Sequence, residues 1–144
     1  MDTRMLGLML KECLKYNNTG GKMNTENYQQ YLQLVQCAFS PNAGHIINES
    51  KNKRVYVELN SIDQVIGGLT LMEHDEGIGI IMYMCGGDKS VGGKLLEQLD
   101  SDYNGLITVR TNKDEKFYLQ HGYKTIGKND THAFMVKWVG DIKI

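Results

Sequence analysis

The stretch MYMCGGDKSVGGKLLEQL, residues 82–99, carries the chain out of an apolar segment, through a glycine-rich turn and into a leucine-patterned one. No other feature narrows the fold as much. The segment IGIIMYMC (78–85) is apolar on both faces, the pattern of a strand in the middle of a sheet. Leu95, Leu96 and Leu99 then recur at helical spacing. A turn from strand to helix sets its glycines beside the unpaired N–H groups of a helix N-terminus, where the helix dipole favours an anion. The turn is therefore a candidate phosphate cradle; the plainer alternative is that its glycines only allow a tight turn.

The flanking segments supply the rest of a domain. Met5, Leu6, Met9, Cys13 and Leu14 recur at helical spacing behind a cap at Asp2 or Thr3, and Tyr28, Tyr31, Leu32, Val35 and Phe39 do so behind Asn24 or Thr25. The first helix ends at NNTGG and the second at Ser40-Pro41. After a polar stretch, RVYVEL (54–59) alternates, with Val55, Val57 and Leu59 on one face. NSID is a turn, and QVIGGLTLM (64–72) is a second strand, joined to 78–85 by the polar EHDEG. Downstream, LITVR (106–110) reads as a strand, and KDEKFYLQH (113–121) as a short helix stopped by Gly122 at C′. YKTIG and HAFMVKWV close as a hairpin. A single domain over the 144 residues accommodates this order, with no repeat and no low-complexity linker.

Two familiar phosphate grips fail on spacing. A P-loop needs four residues between its glycine and the Gly-Lys pair, then Ser or Thr; here five separate Gly87 from Gly93-Lys94, and Leu95 follows. A dinucleotide fingerprint needs G-x-G-x-x-G at the first strand of a βαβ unit, whereas this turn follows an antiparallel meander.

Composition removes other classes. A formal charge of −1 and a pI near 6.4 give no bulk reason to bind nucleic acid. Cys13, Cys37 and Cys85 are odd in number and form no CxxC pair, which suits reduced thiols in the cytoplasm. His45, His74, His121 and His132 show no metal-ligand spacing, so no metal is expected. Arg4, Lys11 and Glu12 interrupt the N-terminal apolar residues, leaving no membrane span and no signal peptide.

A second motif sharpens the reading. EKFYLQHGYKTIG (115–127) follows DKSVGGKLLEQL by about one strand, and the pair resembles the GNAT N-acetyltransferase superfamily, with its pyrophosphate loop and later Phe-Tyr helix end followed by Gly-aromatic. The resemblance spans about residues 53–139. It implies an α+β fold: a central, mostly antiparallel sheet splayed at a cofactor slot, with helices on both faces. The family's first strand has no counterpart in the sequence pattern. In the Q/R-x-x-G-x-G/A loop the basic or amide position falls on Gly87 and the first glycine on Ser90, so only Gly92 matches; Lys89 stands in for the lost positive charge.

The resemblance also implies a chemistry. Acetyl-CoA would be the acetyl donor, its pyrophosphate cradled by the N–H groups of Lys89, Ser90, Val91, Gly92, Gly93 and Lys94, and its pantetheine arm along Met82, Tyr83, Met84 and Cys85. A backbone N–H of Tyr83 or Met84 would steady the developing oxyanion. Tyr118, beside Phe117, matches the tyrosine placed to protonate the departing thiolate, and Asn112 is a hydrogen-bonding partner for the cofactor. Cys85 is a nucleophile on one reading and inert core on the simpler one.

For the general base the candidates are Glu58 and the cluster Glu73, His74, Asp75 and Glu76, with Glu73 ranked first because it lies nearest the strand body; the cluster could equally be solvated surface. NNTGGKM, SPNAGH and GKNDTH would frame the acceptor, a small polyamine-like amine or a lysine side chain. A homodimer is compatible with this layout. The eroded loop also admits an inactive acyl-CoA-binding or protein-interaction module on the same fold.

Overall fold

The computed structural model describes residues 24–74 and 77–140. The helix expected on Met5 to Leu14, the NNTGGKM loop, Asp75 and Glu76 lie outside the described residues. The elements run α1 (Thr25–Ala38), α2 (Pro41–Glu49), β1 (Lys53–Leu59), β2 (Val65–His74), β3 (Ile78–Gly86), α3 (Lys89–Asp102), β4 (Gly105–Thr111), α4 (Glu115–Gln120), β5 (Lys124–Lys128) and β6 (Ala133–Val139).

The six strands form one sheet in the order β1-β2-β3-β4-β6-β5. Every neighbouring pair is antiparallel except β3 and β4, which are joined through α3 and run parallel. The mostly antiparallel α+β architecture with helices on both faces is therefore observed. α1 and α2 cover one face through Tyr28, Tyr31, Leu32, Val35 and Ile47 against Val55, Val57 and Val65. On the other, Leu95, Leu96, Leu99, Phe117 and Tyr118 pack on Leu69, Leu71, Ile107, Val109 and Met135.

Local chemistry explains the helices. The Asn24 side chain caps α1 by accepting from the Asn27 N–H at 2.8 Å, and Tyr28, Tyr31, Leu32 and Val35 form its buried stripe. A Cβ on Gly68 would lie 2.2 Å from the Tyr31 ring, so the glycine lets α1 settle on β2. The buried Tyr31 and Thr70 hydroxyls then hydrogen-bond at 2.5 Å. α2 corrects the sequence reading, which left 41–49 as a polar stretch after Ser40-Pro41. Pro41 starts this helix, at the first turn where its missing N–H costs nothing, and Ala43 and Ile47 are buried beneath it.

α4 ends as expected. Gly122 has φ +91°, and the N–H groups of Gly122 and Tyr123 reach back to the carbonyls of Leu119 and Tyr118 at 3.2 and 3.1 Å.

Candidate active site

The parallel pairing of β3 with β4 stops almost as soon as it begins. Only Ile78, Gly79 and Ile80 face Leu106, Ile107 and Thr108; beyond them β3 continues to Gly86 and β4 to Thr111 without pairing. The sheet is open in its middle. On the other side of β3, the register with β2 jumps from Thr70↔Tyr83 to Leu71↔Ile81, leaving Met82 as the extra residue of a β-bulge. A bulge bends its strand and sharpens its twist. Here it falls just past the last β3–β4 pair, so the bend carries Tyr83 to Gly86 away from β4. Among the described residues, the edge of β3 in this stretch has no strand partner, and backbone polar groups in such a place call for one.

Two clefts occupy the opening. One, of about 270 Å³, lies between the end of β3 and the α3–α4 pair, with Met84, Lys89, Gly92 and Phe117 in its wall. The other, of about 200 Å³, lies between the diverging strands, with Met82, Asn112, Tyr118 and His132 in its wall. Met84 and Asp114 belong to both walls, so the clefts adjoin as one slot. A polar pocket of about 170 Å³ adjoins the second cleft at Thr111, Asn112 and His132.

This architecture has close counterparts among solved structures. An aminoglycoside 6'-acetyltransferase type Ii superposes with a TM-score of 0.70 at 14% identity, over 83% of this chain and 94% of that one. An aminoglycoside 6'-N-acetyltransferase complexed with coenzyme A gives 0.65 at 12%, over 81% and 93%. An acetyltransferase of the GNAT family from Staphylococcus aureus gives 0.58 at 12%, over 82% and 96%. The chain has the GNAT fold. By sequence, no family model and no curated protein matches it.

Within the GNAT fold, Tyr118 lies in the wall of the slot. The residue is 4% exposed, and its ring meets Phe117 and Tyr123 edge-on, each at 5.3 Å between centroids. Burial, followed by the negative charge of Asp114, raises its phenol well above the ordinary value, so it stays a neutral O–H donor. Met82, Met84, Cys85, Lys89, Gly92, Asn112 and Phe117 also line the slot. Tyr83 turns its side chain to the opposite face, against Phe39 at 5.2 Å.

The glycine turn differs from the expected cradle. Asp88, which the sequence reading passed over, caps α3: one carboxylate oxygen accepts from the N–H groups of Ser90 and Val91 at 2.9 and 3.1 Å and from the Ser90 hydroxyl at 2.7 Å. The Gly92 N–H reaches the Asp88 carbonyl at 3.3 Å. Three N–H groups assigned by resemblance to a pyrophosphate thus already have protein acceptors. Val91 points inward, so close to Gly67 and Gly86 that a Cβ on either would meet its methyl at 2.5 or 3.0 Å. Gly92 and Gly93 serve the approach of α4, since their Cβ atoms would meet Phe117 and His121 at 3.0 and 3.1 Å. Gly87 alone of these glycines faces open space. Lys89 borders both the slot and an outer α3–α4 groove, which Ser90, Gly93 and Lys94 also line.

Glu73 is not in the slot. Its carboxylate pairs with Arg54 Nε at 2.5 Å, and Arg54 also reaches Asp102 at 2.9 Å near the far end of α3. Glu73 lies opposite Gly79, where β3 and β4 are still joined. Glu58 is likewise engaged, accepting from Gln98. Burial pushes the Cys85 thiol above its ordinary value, which disfavours the thiolate a nucleophile needs. SPNAGH is not a loop on the acceptor side, because Pro41 to His45 belong to α2. Among the described residues no group of three or more His, Cys, Asp or Glu is arranged to hold a metal, and no helix is long and apolar enough to cross a membrane.

Beyond Asp88, sequence reasoning did not single out Asp114, and it placed His132 only within the GKNDTH turn that would frame the acceptor. Asp114 was legible as the residue before a Glu-initiated helix; His132 owes its place to the chain returning from β5 to β6, which a periodicity argument cannot position.

Proposed function

We propose that this protein is an acetyl-CoA-dependent N-acetyltransferase acting on a primary amine. The observation that carries the proposal is the opening of β3 from β4 at Met82, with an unpaired strand edge on one wall and the Tyr118 phenol on the other. An extended pantetheine arm carries amides that match such an edge, in the manner of an added strand. One solved structure of this fold holds coenzyme A, which supports the same assignment.

The residues fit that donor at three points. The edge of Tyr83 to Gly86 suits its amides, Asn112 offers a hydrogen-bonding side chain, and Lys89 supplies a cation at the mouth. Acetyl-CoA would supply an activated acetyl thioester for direct attack by the amine. A backbone N–H of Tyr83 or Met84 would meet the developing oxyanion, and the Tyr118 O–H would hydrogen-bond and protonate the departing sulfur. Cys85, held as a thiol, takes no acyl group. The acceptor is an amine; small polyamines, lysine side chains and aminoglycosides share that chemistry, and two of the similar structures are aminoglycoside acetyltransferases.

Asp88 favours a second reading, an inactive protein-interaction module on the same fold, because its carboxylate holds the helix end that the pyrophosphate would use. One experiment separates the two. Acetyl-CoA at one hundred times its dissociation constant should stabilise the fold by about 2.7 kcal/mol, while NAD and ATP should not, and thiol release with a panel of amines should follow. Stabilisation without thiol release would leave a binding module without turnover. No stabilisation at millimolar acetyl-CoA would remove the acetyltransferase reading and select the interaction module.

A further inference from the structure

His132 stands at the seam of the candidate site. It borders the cleft that holds Tyr118 and Asn112, and it borders the polar pocket formed by Asn129, Asp130 and Thr131. A donor in the first and an amine in the second would meet at this seam. Glu73, the base expected from sequence, is bound to Arg54 elsewhere.

The hydrogen bonds around His132 reach one of its two ring nitrogens. Asn129 Oδ1 accepts from the backbone N–H groups of Thr131 and His132 at 2.9 and 2.8 Å and from the Thr131 hydroxyl at 3.1 Å. Thr131 Oγ1 lies 2.7 Å from His132 Nδ1, and either atom can be the donor. With the hydroxyl proton directed to Asn129, Nδ1 carries the ring proton and Nε2 keeps its lone pair. Nε2 makes no hydrogen bond to the described protein.

From this geometry we infer that His132 is the general base of the transfer, resting on the acetyltransferase reading above. Nε2 takes one proton from the acceptor's ammonium group, giving a neutral amine and an imidazolium whose Nδ1–H remains on Thr131; the second proton, shed by the nitrogen as the tetrahedral adduct collapses, replaces the one Tyr118 gives to the sulfur. Thr131 and Asn129 are positioning residues; they hold the ring in the basic tautomer and touch no reacting atom. Imidazole suits this task because its protonation changes near neutrality. The charged and titratable groups facing this seam are Arg110 on β4, Asp114 before α4, Glu115 and Tyr118 on α4, and Lys128 and Asp130 of the closing hairpin. Glu115 and Lys128 pair with each other at 2.8 Å.

Two measurements test the inference. In the ligand-free protein, long-range ¹H–¹⁵N NMR of the neutral ring should show His132 in the Nδ1–H form, and Thr131→Val should shift it toward Nε2–H, the form favoured by free imidazole side chains. An Nε2–H ring in the wild type overturns the inference. With acetyl-CoA and either spermidine or kanamycin as the amine probe, His132→Gln should lower kcat/KM by roughly 10² to 10⁴ and abolish the acidic limb of its pH profile, while the thermal shift with acetyl-CoA stays. Thr131→Val should give a smaller loss with the acidic limb displaced. A His132→Gln protein with wild-type turnover and an unchanged acidic limb overturns the inference alone. A wild-type protein that binds no acetyl-CoA overturns the acetyltransferase reading, and the inference with it.

Discussion

Gly92 on α3 lies against the ring of Phe117 on α4, so close that a Cβ at position 92 would be 3.0 Å from Phe117 Cζ. The glycine that best matches the family loop therefore has a packing reason for being there. Gly92→Glu should destabilise the fold by about 1–3 kcal/mol through overpacking, in addition to any effect on acetyl-CoA. Thermal melts without ligand decide this; an unchanged Tm would mean that the ring yields freely.

Asp88 is expected to oppose the donor electrostatically. Asp88→Asn keeps a capping oxygen for Ser90 and Val91 while removing the charge, so acetyl-CoA should bind roughly three- to tenfold more tightly, with the gain shrinking as salt rises. Titration calorimetry at two ionic strengths checks both. The same residue sets a pH dependence. Its carboxyl is held below the usual range, first by the Ser90 hydroxyl and then by the Val91 N–H. A depressed folded value means that the cap's contribution is present above the ordinary carboxylate pKa and is lost as pH falls through the lower, folded value. Acid melts of Asp88→Asn should lack that component.

Tyr118→Phe should retain the fold, because both edge-on ring contacts survive, and should lower kcat by roughly 10² to 10⁴ with little change in acetyl-CoA affinity. Turnover and binding measured side by side test the split. A fully active Tyr118→Phe protein would assign the proton to water or another group.

Glu73→Gln should leave kcat and KM unchanged and cost about 1 kcal/mol of stability, since it removes the charge from a half-buried contact to Arg54 while keeping an acceptor oxygen. Urea unfolding reads the cost. A large fall in kcat with intact stability would restore Glu73 to the site.

Much of this was legible in the chain. Strand alternation placed β1 through Val55 and Val57, and the apolar run at 78–85 marked β3 as an inner strand because both of its faces needed cover. Leucine spacing gave α3, and Gly122 gave the end of α4. What stayed hidden depends on relations across the sheet. The bulge at Met82 is a mismatch of register with β2, which β3 cannot announce alone. Glu73 looked available because Arg54, nineteen residues earlier, is its neighbour only once β1 pairs with β2. α2 was missed for a local reason: Ser40-Pro41 was read only as the end of one helix, although it also begins the next.

The short β3–β4 seam has a mechanical consequence. Three residue pairs at 78–80 and 106–108 form the ladder that stitches the β1-β2-β3 leaf to the β4-β6-β5 leaf. Such a join leaves the two strands unpaired with each other toward a free end at Gly86 and Thr111. A molecule lying along β3 in the opening would rivet the leaves at that free end, so its grip should appear as slowed amide exchange on both sides of the cleft, well beyond the atoms it touches.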